Sequence, residues 1–229
     1  MKKILLATSA MMLSLFNQSA NAEEGIYLRG DVGLSMMRDA AGKLTESDGS
    51  KTEVKYDFKK KAIWGIGAGY QFSDLVRADF TVQHQNVEGS GPIYNNGTTA
   101  GATGKAEASA TSYMINGYLE LAPLLEMDGP FKPFVGAGLG MTTHDVDKIV
   151  SSTGVIIVGD TTNDFTWRLA AGTGYDLTDN LSLNVEYAFM DMGKAKASPK
   201  YLNSNTNPLD TPETKMQSHN LLVGLRYKF

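Results

Sequence analysis

Eight charged residues sit at alternate positions in runs that are otherwise apolar: Arg29, Asp31, Arg77, Asp79, Glu120, Arg168, Glu186 and Arg226. Four are guanidinium groups and four are carboxylates, so the set can neutralise itself by bidentate ion pairing. Each lies in a run of alternating polarity, as in Leu28-Arg29-Gly30-Asp31-Val32 and Val76-Arg77-Ala78-Asp79-Phe80. Side chains reverse direction at every residue of a β-strand, so all eight share one face and the apolar residues share the other. The chemistry this permits is a closed ionic network in a confined interior, or a polar path for ions if the interior is wide.

Other chemistry is poorly supplied. Of three histidines, His84 ends one apolar run, His144 opens a polar segment and His219 begins the last run. Ser218 adjoins His219, but strand neighbours point to opposite faces, which spoils a nucleophile and base pair. The segment His144-Asp145-Val146-Asp147 could suggest a weak cation or catalytic cluster, yet no nucleophile, base and oxyanion donor can be assembled around it. The chain has no cysteine, which excludes disulfides and thiolate metal sites. We expect no enzyme activity, no metal and no cofactor. Lys59, Lys60 and Lys61 form the one basic run, a contact for polyanions such as lipopolysaccharide phosphates or a host surface. Gly65-Ile66-Gly67-Ala68-Gly69 and Gly136-Ala137-Gly138-Leu139-Gly140 continue the alternation, with no helix after them, so they are not phosphate loops.

The elements that position the eight charges follow from the same alternation. The chain opens with Lys2 and Lys3, an apolar run from Ile4 to Phe16 and small residues at Ala20 and Ala22. This predicts a signal peptide over residues 1–22, cleaved between Ala22 and Glu23, and one domain over residues 23–229. Without Lys2 and Lys3 the formal charge moves from -4 to -6, which disfavours nucleic acid as a partner. Strands are predicted near residues 25–36, 62–72, 75–84, 111–121, from 132 onward, 165–175, 181–189 and 219–229. The last shows the pattern cleanly, with Leu221, Val223, Leu225, Tyr227 and Phe229 on one face.

Short turns follow the second, fourth and sixth strands, and long polar segments follow the others. The segments over residues 37–61, 85–110, 142–164 and 190–218 are expected as loops. Eight strands, alternating short and long connections, apolar residues outward and Trp64, Tyr70, Tyr113, Trp167, Tyr175, Tyr187 and Tyr227 as interfacial girdles predict an all-β, eight-stranded antiparallel transmembrane β-barrel. Four long extracellular loops complete it, with both termini periplasmic. A soluble barrel would direct its apolar face inward, and the charged rows could not line a dry pocket without large cost.

The segments Tyr27-Leu28-Arg29-Gly30-Asp31-Val32-Gly33, Gly67-Ala68-Gly69-Tyr70-Gln71-Phe72, Val76-Arg77-Ala78-Asp79, Pro133-Phe134-Val135-Gly136-Ala137-Gly138 and Val185-Glu186-Tyr187 resemble the opacity-type, OmpX-like surface proteins. Among these the chain is most similar to small adhesins and surface antigens of rickettsia-like intracellular bacteria. The resemblance implies a bacterial outer-membrane location, surrounding outer-membrane lipids, and an adhesin or surface antigen whose loops bind host surface proteins. It also implies that Tyr227 and Phe229 form a C-terminal signal read by the barrel assembly machinery. The competing expectation is a structural envelope barrel or narrow porin with no dedicated ligand.

Overall fold

The computed structural model describes residues 24–45, 48–198, 200, 202 and 211–229. The expected signal peptide and its cleavage site at Ala22 and Glu23 lie outside the described residues.

Among the described residues, eleven strands form one antiparallel sheet: β1 Gly25–Met37, β2 Ala40–Thr45, β3 Lys51–Phe58, β4 Lys61–Gln71, β5 Val76–Asn95, β6 Thr98–Glu120, β7 Phe131–Ser151, β8 Ile156–Val158, β9 Thr161–Asp176, β10 Leu181–Lys196 and β11 Glu213–Lys228. Eight of them close a ring. β1 pairs with β4, then β5, β6, β7, β9, β10 and β11 follow in order, and β11 returns to β1 through Leu34↔Leu221 and its neighbours. Closure removes the unpaired edges that a sheet would expose to lipid.

The outward face of the ring is apolar and the inward face is not. Val32, Ile66, Ile115 and Leu139 are each at least 60% exposed, while Arg77, Asn116, Arg168 and Glu186 are at most 2% exposed. Exposed apolar rows of this extent are stable only against lipid. Aromatic contacts bound the apolar band. Tyr70 with Phe72, Phe131 with Tyr175, and Tyr227 with Phe229 meet near the short turns. Trp64 with His84, and Phe189 with Trp167 and His219, meet toward the long connections.

The long connections differ from the expected loops, because much of each is strand. β5 and β6 run past the membrane and meet in a two-residue turn at Asn96 and Gly97, whose φ angles of 48° and 82° are those of a hairpin turn matched to strand twist. β2 and β3 form a second hairpin, and β3 pairs with β5 through Val54↔Ile93. β7 continues to Ser151, and β8 pairs with it. Outside the bilayer neither face of a strand must be apolar. Backbone pairing therefore continues across residues such as Ala106, Glu107 and Ala108 without the hydropathy signal that marks the spanning portions.

Candidate functional site

The eight charges converge on one layer inside the barrel. Arg29 Nε and Nη2 donate to the two carboxylate oxygens of Asp31, each at 2.8 Å, and Nη1 reaches Asp79 at 3.2 Å and the Tyr118 hydroxyl at 2.7 Å. The same guanidinium lies 3.5 Å from Glu186, which also takes a short hydrogen bond from Arg168. Arg77 Nε donates to Glu120 at 2.5 Å, and Arg226 stands 3.5 Å from the same carboxylate. Arg77 also lies 3.8 Å from Asp79, so all four arginines and all four carboxylates belong to one connected set.

The strands explain this convergence. The tilt of a closed barrel brings inward residues of distant strands to one height, so Arg29 on β1 meets Glu186 on β10 across 157 positions. Room is made by glycines on the inward rows. A Cβ on Gly136 would approach the Tyr118 ring at 2.6 Å, and one on Gly138 would meet Asn116 and Arg168. Any larger residue there would displace members of the network.

Several members carry no charge. Tyr27 donates to Asp79 at 3.0 Å, and Asn116 donates to Asp79 at 2.8 Å and to Thr81 at 3.0 Å. The Arg77 guanidinium stacks 3.7 Å from the centre of the Tyr118 ring and lies 4.9 Å from that of Phe134, whose ring meets Tyr118 edge-on. Tyr27, Tyr118, Asn116 and Phe134 escaped selection by charge. Their inward parity beside charged neighbours is the signal that could have found them. Above this tier a chain of hydroxyls joins Ser112, Thr142 and Thr166, at 2.7 and 2.6 Å.

The remaining sequence candidates lie apart from this network. Lys59 and Lys61 clasp Glu88 at 2.5 and 2.6 Å, and Lys105 stands 2.6 Å from Glu107. The two lysine hydrogen bonds hold the Glu88 carboxyl at about 2, well below its ordinary value. Lys60 is exposed beside them. The basic run therefore carries its own counter-charge on two of three positions. His84 bonds Thr111 at the outer girdle, His219 stacks on Tyr187, and His144 is buried against the Met192 carbonyl at 2.8 Å. Ser218 is buried inside the barrel. Among the described residues no group of three or more His, Asp or Glu is placed to hold a metal ion. Tyr227 and Phe229 face outward with their rings 5.0 Å apart.

Comparison with known proteins agrees with this architecture. The family model described as "Outer membrane protein beta-barrel domain" matches residues 4–229. "Putative adhesin RT0816" of Rickettsia typhi is 30% identical, over 99% of both chains. Outer membrane protein PagN of Salmonella typhimurium is 24% identical over the whole of both chains. Among solved structures, OprG of Pseudomonas aeruginosa superposes with a TM-score of 0.56 at 14% identity, covering 90% of this chain and 96% of that one. Neisserial surface protein A gives 0.51 at 18% identity, covering 93% and 100%. These two likenesses concern the fold. Inside-out polarity, ring closure, paired girdles and the family match together place the chain in the bacterial outer membrane, as a member of the outer membrane protein beta-barrel domain family.

Proposed function

We propose that this protein is an adhesin or surface antigen whose extracellular β-ribbons bind host surface proteins, held by a barrel whose lumen is closed. The observation that carries the reading is the extracellular architecture. Three hairpin-built elements, β2 with β3, the upper halves of β5 and β6, and β8 on β7, extend one hydrogen-bonded sheet outside the membrane. A barrel serving only as an envelope component has no need of that surface, and binding function concentrates in segments positioned by a rigid scaffold. The family relatives named as adhesins support the same direction.

The narrow-porin alternative is disfavoured by the ionic layer, because an eight-stranded barrel is just wide enough for side chains to fill. In this reading Arg29, Arg77, Arg168 and Arg226 with their four carboxylates are a plug. Outer-membrane lipids cover the apolar band, the assembly machinery reads Tyr227 and Phe229, and residues 1–22 direct export.

The test is to replace residues 90–105, the end of the β5–β6 hairpin, by an Asn-Gly turn joining Gly89 to Ala106, which already face each other. The shortened protein should fold and insert, while adhesion of cells displaying it to host cells falls about tenfold. Undiminished adhesion in this variant, and in a second lacking the β2–β3 hairpin, would refute the reading.

A further inference from the structure

Below the ionic layer the barrel opens into a cavity of about 860 Å³ at its periplasmic mouth. Every short connection contributes to its lining: Asp74 from the β4–β5 turn, Pro123 and Met127 from the β6–β7 segment, and Asp179 from the β9–β10 turn. Pockets that enclose small organic ligands run roughly 300–1,000 Å³, so this one has room for several amino-acid residues.

Arg226 lies at the floor of this cavity. A guanidinium carries five N–H donors and no acceptor. Arg226 Nη1 has no hydrogen-bond partner among the described residues. Its nearest carboxylate, Glu120, stands at 3.5 Å and already accepts a hydrogen bond from Arg77 Nε at 2.5 Å. The side chains of Arg29, Arg77 and Arg168 each donate to a carboxylate and are at most 5% exposed, whereas Arg226 lines the cavity with 14% of its side chain exposed. The Tyr27 ring, 5.6 Å from the guanidinium carbon, braces Arg226 by a cation–π contact. A guanidinium held in this way is a receptor for one carboxylate, which it meets with two parallel hydrogen bonds.

The rest of the lining selects what carries that carboxylate. Ala122, Pro123, Met127 and Leu177 supply an apolar wall, and Asp74 and Asp179 are exposed in the turns at the rim. Four carboxylates line the cavity against three cations, so a multiply charged anion is repelled overall and an ammonium at the rim is favoured. A carboxylate receptor, an apolar wall and an acidic rim together describe a zwitterion with small apolar side chains. We propose that the periplasmic mouth of the barrel binds a short peptide of this kind, its C-terminal carboxylate on Arg226 and its ammonium between Asp74 and Asp179. The ionic layer closes the inner end, so the peptide enters and leaves on the periplasmic side.

The test uses the full mature protein in lipid nanodiscs with ¹⁵N-arginine, titrated with trialanine. The Arg226 Nε–H signal, identified by its loss in Arg226→Gln, should shift saturably while that of Arg168 stays in place. Amidating the peptide C-terminus should weaken binding at least tenfold, and acetylating its N-terminus should weaken it several-fold. Calorimetric titration of Arg226→Gln should show affinity at least tenfold lower and no preference for acid over amide. If that variant fails to fold, the comparison of acid with amide on the unaltered protein decides the matter. Asp74→Asn combined with Asp179→Asn should lower affinity for trialanine and leave that for the acetylated peptide unchanged. Absence of a saturable shift, equal affinity for acid and amide, unchanged affinity in Arg226→Gln, or tighter binding of inorganic phosphate than of trialanine would overturn the site. Equal affinity for the free and acetylated peptides would overturn the role of the acidic rim.

Discussion

Removing Glu186 is the most direct test of the ionic layer. Its side chain is 1% exposed and bridges Arg168, also 1% exposed, and Arg29, 5% exposed. Glu186→Ala leaves four inward arginines, three of them buried, against three carboxylates and strips Arg168 of its carboxylate partner. Breaking a buried ion pair from one side costs about 3–5 kcal/mol, because the surviving charge stays out of water. For a chain of this size each kcal/mol moves the unfolding midpoint by about 2–4 °C, so a fall of roughly 6–20 °C is expected. The measurement is thermal unfolding in detergent, followed by circular dichroism and by the change in gel mobility on unfolding. The double variant Arg168→Met with Glu186→Met removes both charges and keeps volume, and Arg29 retains Asp31 and Asp79. It should therefore be more stable than Glu186→Ala alone. If Glu186→Ala melts with the wild type, or if the double variant loses the sum of the two single losses, the interior is hydrated and the network is not what closes it.

Planar-bilayer recording of the folded wild type should show no steady conductance, whereas Arg77→Ala with Glu120→Ala, which empties one side of the layer, should show openings; a conducting wild type would contradict the plug. Glu88→Gln should strengthen heparin binding several-fold by releasing Lys59 and Lys61, as measured by retention on a heparin column. The folded Glu88 carboxyl is depressed to about 2, so its stabilising contribution is complete above the ordinary carboxylate value and is lost as pH falls through about 2. Its carboxyl carbon signal should accordingly stay that of the ionised form at pH 3. Gly136→Leu should prevent stable assembly, because its side chain would take the place of the Tyr118 ring; heat-modifiable monomer in normal yield would show that the ring can move. Protease added to intact cells should cut near Asn96 and Gly97 and spare Ser73, and the reverse pattern would invert the topology.

The spanning strands were legible because lipid imposes a rule that the sequence must obey. Along Val76 to Val82 each outward position is apolar and each inward one polar, and the observed burial alternates with the same phase. The extracellular strands obey no such rule. Gly89, Gly91 and Gly104 occupy positions where strands approach closely, and by composition they suggest loop, yet a Cβ on Gly91 would strike the Lys55 carbonyl of β3. What holds those segments in strand is backbone pairing to a neighbour distant in sequence, as in Val54↔Ile93, and pairing leaves no local mark in hydropathy.

The interior shows the same division between what one strand can encode and what only the closed ring decides. Parity alone put eight charges on the inward face, but whether Arg29 meets Asp31, Asp79 or Glu186 depends on strand tilt, which alternation does not specify. The apolar half lay hidden for a related reason. Met190, Met192 and Met216 fall in segments whose polar neighbours suggested loop, and an interior read as polar near the membrane centre was not expected to become apolar above it. Stacking an apolar tier on an ionic one has a mechanical consequence. The ionic tier, bonded across β1, β5, β6, β9 and β10, ties the ring together at one height. The buried apolar cluster above it is held by dispersion contacts and by the backbone ladders of the surrounding strands, so only the ionic tier draws the ring together through charge.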